Sequence, residues 1–222
     1  LDPRKPNVRT LRFLKGDIKL KRVPENLSFT TGNCYIITRL QPMITDGKPE
    51  FPYSPGDEMS GSDLIELTFT NMRGKFGPSD VPHTLAVSQR DGWSATLSNF
   101  LYLRENGRYG FEGNLQNYSF VFTPDIKLRR TTVRQKCREH FSLHTAMYHL
   151  VNMHWMFTRW DVDLMPEVYR CTPEELYADI IALGYDWNLL LNCRYWHGEI
   201  KDPSKDIPFL STFDLLRIRT ND

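Results

Sequence analysis

The period of the hydrophobic pattern changes at Pro124, and that change constrains the fold more than any other feature of the chain. From about residue 11 to 123 apolar side chains recur every second position. Ile65, Leu67 and Phe69 alternate with Glu66, Thr68 and Thr70, as in a strand with one buried and one solvated face. Cys34–Leu40, Ala95–Leu103 and Tyr118–Thr123 read as strands in the same way, with Tyr118, Phe120 and Phe122 on one side of the last. Asp46-Gly47, Asp91-Gly92 and Asn106-Gly107 supply turns between them. The segment 46–62, with three Pro and three Gly, predicts a long surface loop.

Beyond Pro124 the signals become helical. Thr132 and Gln135 stand at capping-box spacing, and helix formers then run to about Trp160. The apolar residues of this stretch, including Leu143, Ala146, Met147, Leu150 and Met153, lie on nearly every side, which predicts a helix buried all round. Pro166 interrupts an irregular stretch. A second helix is marked by Thr172 as N-cap, Pro173 at the first position, Glu175 closing a capping box and Gly184 as the stop. Its Leu176, Ile180 and Leu183 predict one buried face. Residues 187–196 fit either an extension of that helix or a strand, and Phe213–Arg219 fits a closing strand. Strands first and helices later predict an α+β fold, a mainly antiparallel sheet from the N-terminal half packed by C-terminal helices. The expected organisation is an extended basic arm over residues 1–10 and one domain over 11–222, β-rich to 123 and helix-rich over 124–200.

Charge is segregated along this frame. Residues 1–22 hold eight Lys and Arg, among them Arg4, Lys5, Arg9 and Arg12, against Asp2 and Asp17. Residues 127–138 hold Lys127, Arg129, Arg130, Arg134, Lys136 and Arg138 and no acid. Each block carries +6, so the rest of the chain carries −11 within a formal net charge of +1. Such polarity suits contact with an anionic surface or head-to-tail packing of copies. A basic arm gains affinity for a polyanion by releasing counterions, and the start of a helix at 132 adds outward-facing N–H groups. The competing expectation is that block 127–138 pairs with acids such as Asp57, Glu58 or Asp179.

Other chemistry is weakly signalled. Cys137, His140 and His144 fall on one face of a helix at about 100° per residue, a set from which zinc could take three ligands. No Glu completes an H-E-x-x-H pattern, and burial with hydrogen-bonded histidines explains the same residues. Asp161, Asp163 and Glu167 are possible cation ligands for nuclease chemistry, although loop acids are common. No nucleophile elbow or phosphate loop occurs.

Four widely spaced cysteines without a CxxC pair point to free thiols in a reducing, intracellular setting, cytoplasmic or nuclear. Two N-x-S sequons, at Asn26 and Asn117, matter only in a secreted chain. The chain opens at Leu1 without Met, which leaves room for a preceding segment.

The leading expectation is a non-enzymatic structural or assembly protein that binds nucleic acid or an anionic membrane and self-associates into a homo-oligomer. It takes no cofactor. By analogy of charge layout alone it is matrix- or capsid-like, with a virion location if viral. One alternative is a metal-dependent hydrolase or nuclease using the Cys137, His140, His144 face. Another is a host-targeting interaction module that docks through Phe51-Pro52-Tyr53-Ser54-Pro55.

Overall fold

A computed structural model describes residues 33–54, 62–74, 82–114, 116–159, 165–193 and 208–220. The basic arm at 1–10, Asp57, Glu58, Asp161 and Asp163 lie outside these residues. The fold is α+β, with antiparallel sheets in the N-terminal half and most helices in the C-terminal half.

The first sheet contains β1 (Asn33–Pro42), β4 (Leu64–Gly74), β5 (Pro82–Ser88) and β6 (Gly92–Ser94) in the order β1-β4-β5-β6, all antiparallel. The alternation of β4 sets its register: Ile65, Leu67 and Phe69 stand opposite Val87, Leu85 and His83. Between β1 and β4 the short strands β2 (Ile44–Thr45) and β3 (Lys48–Pro49) form a hairpin through Asp46 (φ 54°) and Gly47 (φ 74°). Two consecutive left-handed residues are what a two-residue hairpin turn requires. The predicted surface loop at 46–62 is therefore partly strand. Phe51 within it is 1% exposed and its ring meets the edge of Phe100 at 5.6 Å. A second antiparallel sheet holds β7 (Phe111–Gly113), β8 (Tyr118–Phe120) and β9 (Thr123–Leu128), with every residue of β8 buried.

Four elements depart from the sequence expectations. Ala95–Leu103, read as a strand, begins helix α1 (Ala95–Glu105). Ser94 caps it by accepting from the Leu97 N–H at 3.3 Å, and Leu97, Phe100, Leu101 and Leu103 are buried. The alternating apolar residues also satisfy a helical period, and the cap settles the choice. The predicted helix 132–160 is two helices, α2 (Val133–Glu139) and α3 (Phe141–Arg159), separated by His140 in an extended conformation (φ −120°, ψ 103°). Thr132 does not cap α2; its hydroxyl accepts from the Arg129 N–H at 3.1 Å instead. Residues 187–191 form a separate short helix, α5 (Trp187–Leu191), capped by Asp186. Phe213–Arg219 lies in helix α6 (Thr212–Thr220) and not in a strand. There Ser211 and Asp214 exchange hydrogen bonds, Ser211 N–H to Asp214 Oδ2 at 2.8 Å and Asp214 N–H to Ser211 Oγ at 3.2 Å.

The helix α4 (Pro173–Ala182) follows its sequence punctuation. Thr172 Oγ1 accepts from the Glu175 N–H at 3.1 Å, and Glu175 Oε2 accepts from the Thr172 N–H at 2.8 Å. Leu176 and Ile180 are buried, whereas Leu183 is 40% exposed at the end of the helix.

The core gathers around α3. Leu143, Ala146, Met147, Leu150 and Met153 are each 0% exposed, and α1, α2, α5, α6 and β9 pack around them. Burial is not complete, because His144 and Tyr148 on one stripe stay exposed. The backbone of Gly110 comes so close to α3 that a Cβ there would stand 2.5 Å from Leu150 Cδ2. Gly110 and Gly107 have nearly the same positive φ, 71° and 73°, but Gly107 faces open space. Gly107→Ala should cost only the left-handed strain of about 1–2 kcal/mol, while Gly110→Ala should lose clearly more in a thermal or urea titration. Leu150→Asp should unfold the protein, since an unpaired charge has no solvent there.

Candidate polyanion interface

The second basic block divides by environment. Lys127 on β9 is exposed and donates to Ser119 Oγ at 3.1 Å. Arg129 and Arg130 are exposed in the turn before α2. Lys136 pairs with Glu139 one turn on, at 3.2 Å. Arg134 behaves differently: it is 5% exposed and held from several sides. Its Nη1 donates to Asp63 Oδ1 at 2.6 Å and its Nη2 to Asp63 Oδ2 at 2.7 Å. The same Nη2 lies 3.1 Å from Ser88 Oγ and 3.2 Å from Asp91 Oδ2. Ser88 Oγ in turn donates to Asp63 Oδ2 at 2.7 Å and accepts from the Arg90 and Asp91 N–H groups. Arg134 is thus a structural cation that ties α2 to β4 and to the β5–β6 turn, and it is not free to bind a polyanion as its sequence setting suggested.

Next to this pair three guanidiniums converge on one ring. The Cζ atoms of Arg138, Arg134 and Arg90 lie 4.1, 4.7 and 5.2 Å from the Tyr53 centroid. Arg138 also donates to the Tyr53 carbonyl. Cation–π attraction lets the ring hold like charges close together. Arg90 and Arg138 remain exposed, and with Arg129 and Arg130 they form no ion pair among the described residues. Both acids beside the ring, Asp63 and Asp91, are taken by Arg134. The expected acid partners were different: Asp179 pairs with Arg219 at 2.6 Å. Tyr53, Asp63, Ser88 and Arg90 had no local signal in the sequence, because they meet Arg134 only through tertiary contacts.

Two expectations lose their geometry here. α2 has seven residues, too short for its first turn to add an anion site. Within the proposed docking peptide, Phe51 and Pro52 are buried and Tyr53 is covered by guanidiniums, so only Ser54 of the described part is exposed.

The metal-ligand face is also broken. Cys137 sits on α2, His140 at the break and His144 on α3. Burial pushes the Cys137 thiol up to about 12. Among the described residues no group of three or more His, Cys, Asp or Glu side chains is placed to hold a metal ion. The histidines of α3 instead reach neighbouring helices: His144 Nδ1 lies 2.5 Å from Thr96 Oγ1, His154 Nδ1 2.7 Å from the Tyr102 hydroxyl and His149 Nδ1 2.9 Å from Thr212 Oγ1. His149 is 1% exposed, and burial holds its imidazole at about 3. An open cavity of about 470 Å³ lies between the 3₁₀ turn Glu167–Tyr169, α4 and α6, with Arg219 and Asp179 in its lining.

Among the described residues no helix is long and apolar enough to cross a membrane. No protein-family model, curated protein or solved structure matches the chain.

Two tests follow from the buried groups. The hydrogen bond from Arg134 holds the Asp63 carboxyl below its ordinary 3.8, against the opposing effect of burial. The pair's stabilisation is therefore present above that value and lost as pH falls through the depressed one. Arg134→Ala should cost about 3–5 kcal/mol by stranding Asp63, and Asp63→Asn should flatten the acid limb of the stability profile. His149 acts at higher pH. The unfolded imidazole takes up a proton below 6.5, while the folded one stays neutral down to about 3. Stability should fall by up to about 1.4 kcal/mol per pH unit across that window. A His149→Gln variant that keeps the wild-type slope in urea titrations between these limits would refute the assignment.

Proposed function

We propose that the protein is a non-enzymatic structural protein that binds a phosphate-bearing polyanion, nucleic acid or an anionic membrane, and self-associates. The observation that carries this reading is the pair of exposed arginines Arg90 and Arg138 over the Tyr53 ring, beside acids already satisfied internally, with Arg129 and Arg130 exposed in the turn before α2. Guanidiniums already desolvated on one side and held in place lose little freedom when they meet phosphate. The arm residues Arg4, Lys5, Arg9 and Arg12, together with Lys127, add charge that binds without demanding geometry.

The test is binding of single-stranded RNA, duplex DNA and phosphatidylserine vesicles across a salt series. Affinity should fall steeply with salt, with a slope of about 0.7–0.9 per phosphate contact on nucleic acid. Replacing Arg129, Arg130 and Arg138 by Ala together should reduce that slope while the far-ultraviolet circular dichroism is unchanged. Deleting residues 1–22 should reduce it further. Binding that is indifferent to about 0.5 M salt, or to both changes, would overturn the proposal.

A further inference from the structure

The first sheet ends in a strand that is poorly protected. Among the described residues β1 pairs only with β4, so its outer N–H and C=O groups run along an open edge. Tyr35, Ile37 and Leu40 on it are 55%, 63% and 65% exposed. The register of β1 skips one residue, Thr38, between Ile37 opposite Phe69 and Arg39 opposite Thr68. That bulge sends Arg39 to the Thr68 and Glu66 side, where it pairs with Glu66 at 3.1 Å. It also brings Leu40, opposite Leu67, onto the same face as Ile37 and Phe69. The face continues through Leu85 of β5 to Trp93 of β6, which is 64% exposed. Natural edges are guarded by lysines, inward charges, prolines or bulges. β1 has two register shifts and Pro42 at its end, but its one charged residue is turned away and paired, which leaves the apolar face of the edge without a charge.

We infer that two copies of this chain pair antiparallel through β1, joining their first sheets across a twofold axis. The occupant of such an edge must itself offer a strand edge, to satisfy the backbone, together with apolar side chains on one face. β1 of a second copy offers both, and a twofold operation satisfies the two edges identically. Charge agrees: Arg39 of each copy is already paired with Glu66, so the strands meet without like-charge repulsion. Residues 1–22 of the same chain, at +6, match an apolar face poorly. The inference rests on the self-association proposed above and assigns its surface.

Sedimentation of the full chain over a concentration series tests it, against an Ile37→Lys, Leu40→Lys variant. Both side chains are exposed, so the fold should survive, as circular dichroism would show. Wild type should reach twice the monomer mass, and the variant should dimerise at least about tenfold more weakly. A wild-type chain that stays monomeric to about 100 µM overturns both this pairing and the self-association reading. Oligomers that the variant leaves unchanged overturn the pairing alone. Hydrogen exchange on wild type gives a second reading that needs no variant. Protection of the amides at 35–41 should rise with concentration. Protection already complete in dilute monomer would mean that the chain covers its own edge, and would overturn the inference. Binding of the monomer to uncharged phosphatidylcholine vesicles through the same residues would do so too.

Discussion

The bidentate contact between Arg134 and Asp63 is the constraint on which the candidate interface depends. The two residues stand 71 positions apart in the chain, one on α2 and the other immediately before β4. Burying a guanidinium is costly unless nearly all its donors are used. Here Asp63, Ser88 and Asp91 accept from it and the Tyr53 ring covers one face. The contact therefore places α2 relative to the first sheet with little freedom. That placement brings Arg138, one turn further along α2, over Tyr53 beside Arg90. The exposed cations owe their grouping to the buried one.

Around α3 the polar groups do a different job. His144, His149 and His154 reach Thr96, Thr212 and Tyr102, so one helix is tied to α1 twice and to α6 once. Apolar packing gives the helix its depth, and these directional bonds restrict its rotation against its neighbours. Burial lowers the imidazoles of His144 and His149 and raises the thiols of Cys137, Cys171 and Cys193. In each case burial favours the uncharged form, at His149 with almost no exposure and at His144 although part of its ring stays in solvent. Of the ligand candidates in the sequence, Cys137 packs in the core and His144 bonds to Thr96.

The fold class was legible because period and punctuation are local. The alternation at 64–70 and the signals at Thr172, Pro173, Glu175 and Gly184 each depend on residues a few positions apart, and the structure follows them. Ala95–Leu103 misled because its apolar spacing suits a strand and a helix alike; Ser94 as N-cap was the overlooked cue. The same holds for α6, where Ser211 and Asp214 stand at capping spacing ahead of a stretch that resembles a strand. The break at His140 had only a weak cue, the low helix propensity of His140, Phe141 and Ser142, with no Pro or Gly to mark it.

What the sequence determined by itself is the α+β class, the best-capped helix and the gathering of positive charge at 127–138. These depend on steric and hydrogen-bonding preferences that act over a turn or two of chain, and on formal charge, which needs no structure. Tertiary structure decided which of the six basic residues are available. Arg134 and Arg138 lie one helical turn apart with the same side-chain chemistry, yet one is buried against Asp63 and the other is exposed over Tyr53. That difference arises from groups 43 to 85 residues away. Only folding sets the distances between such groups, and Coulombic and hydrogen-bond energies depend on those distances and on the dielectric around them.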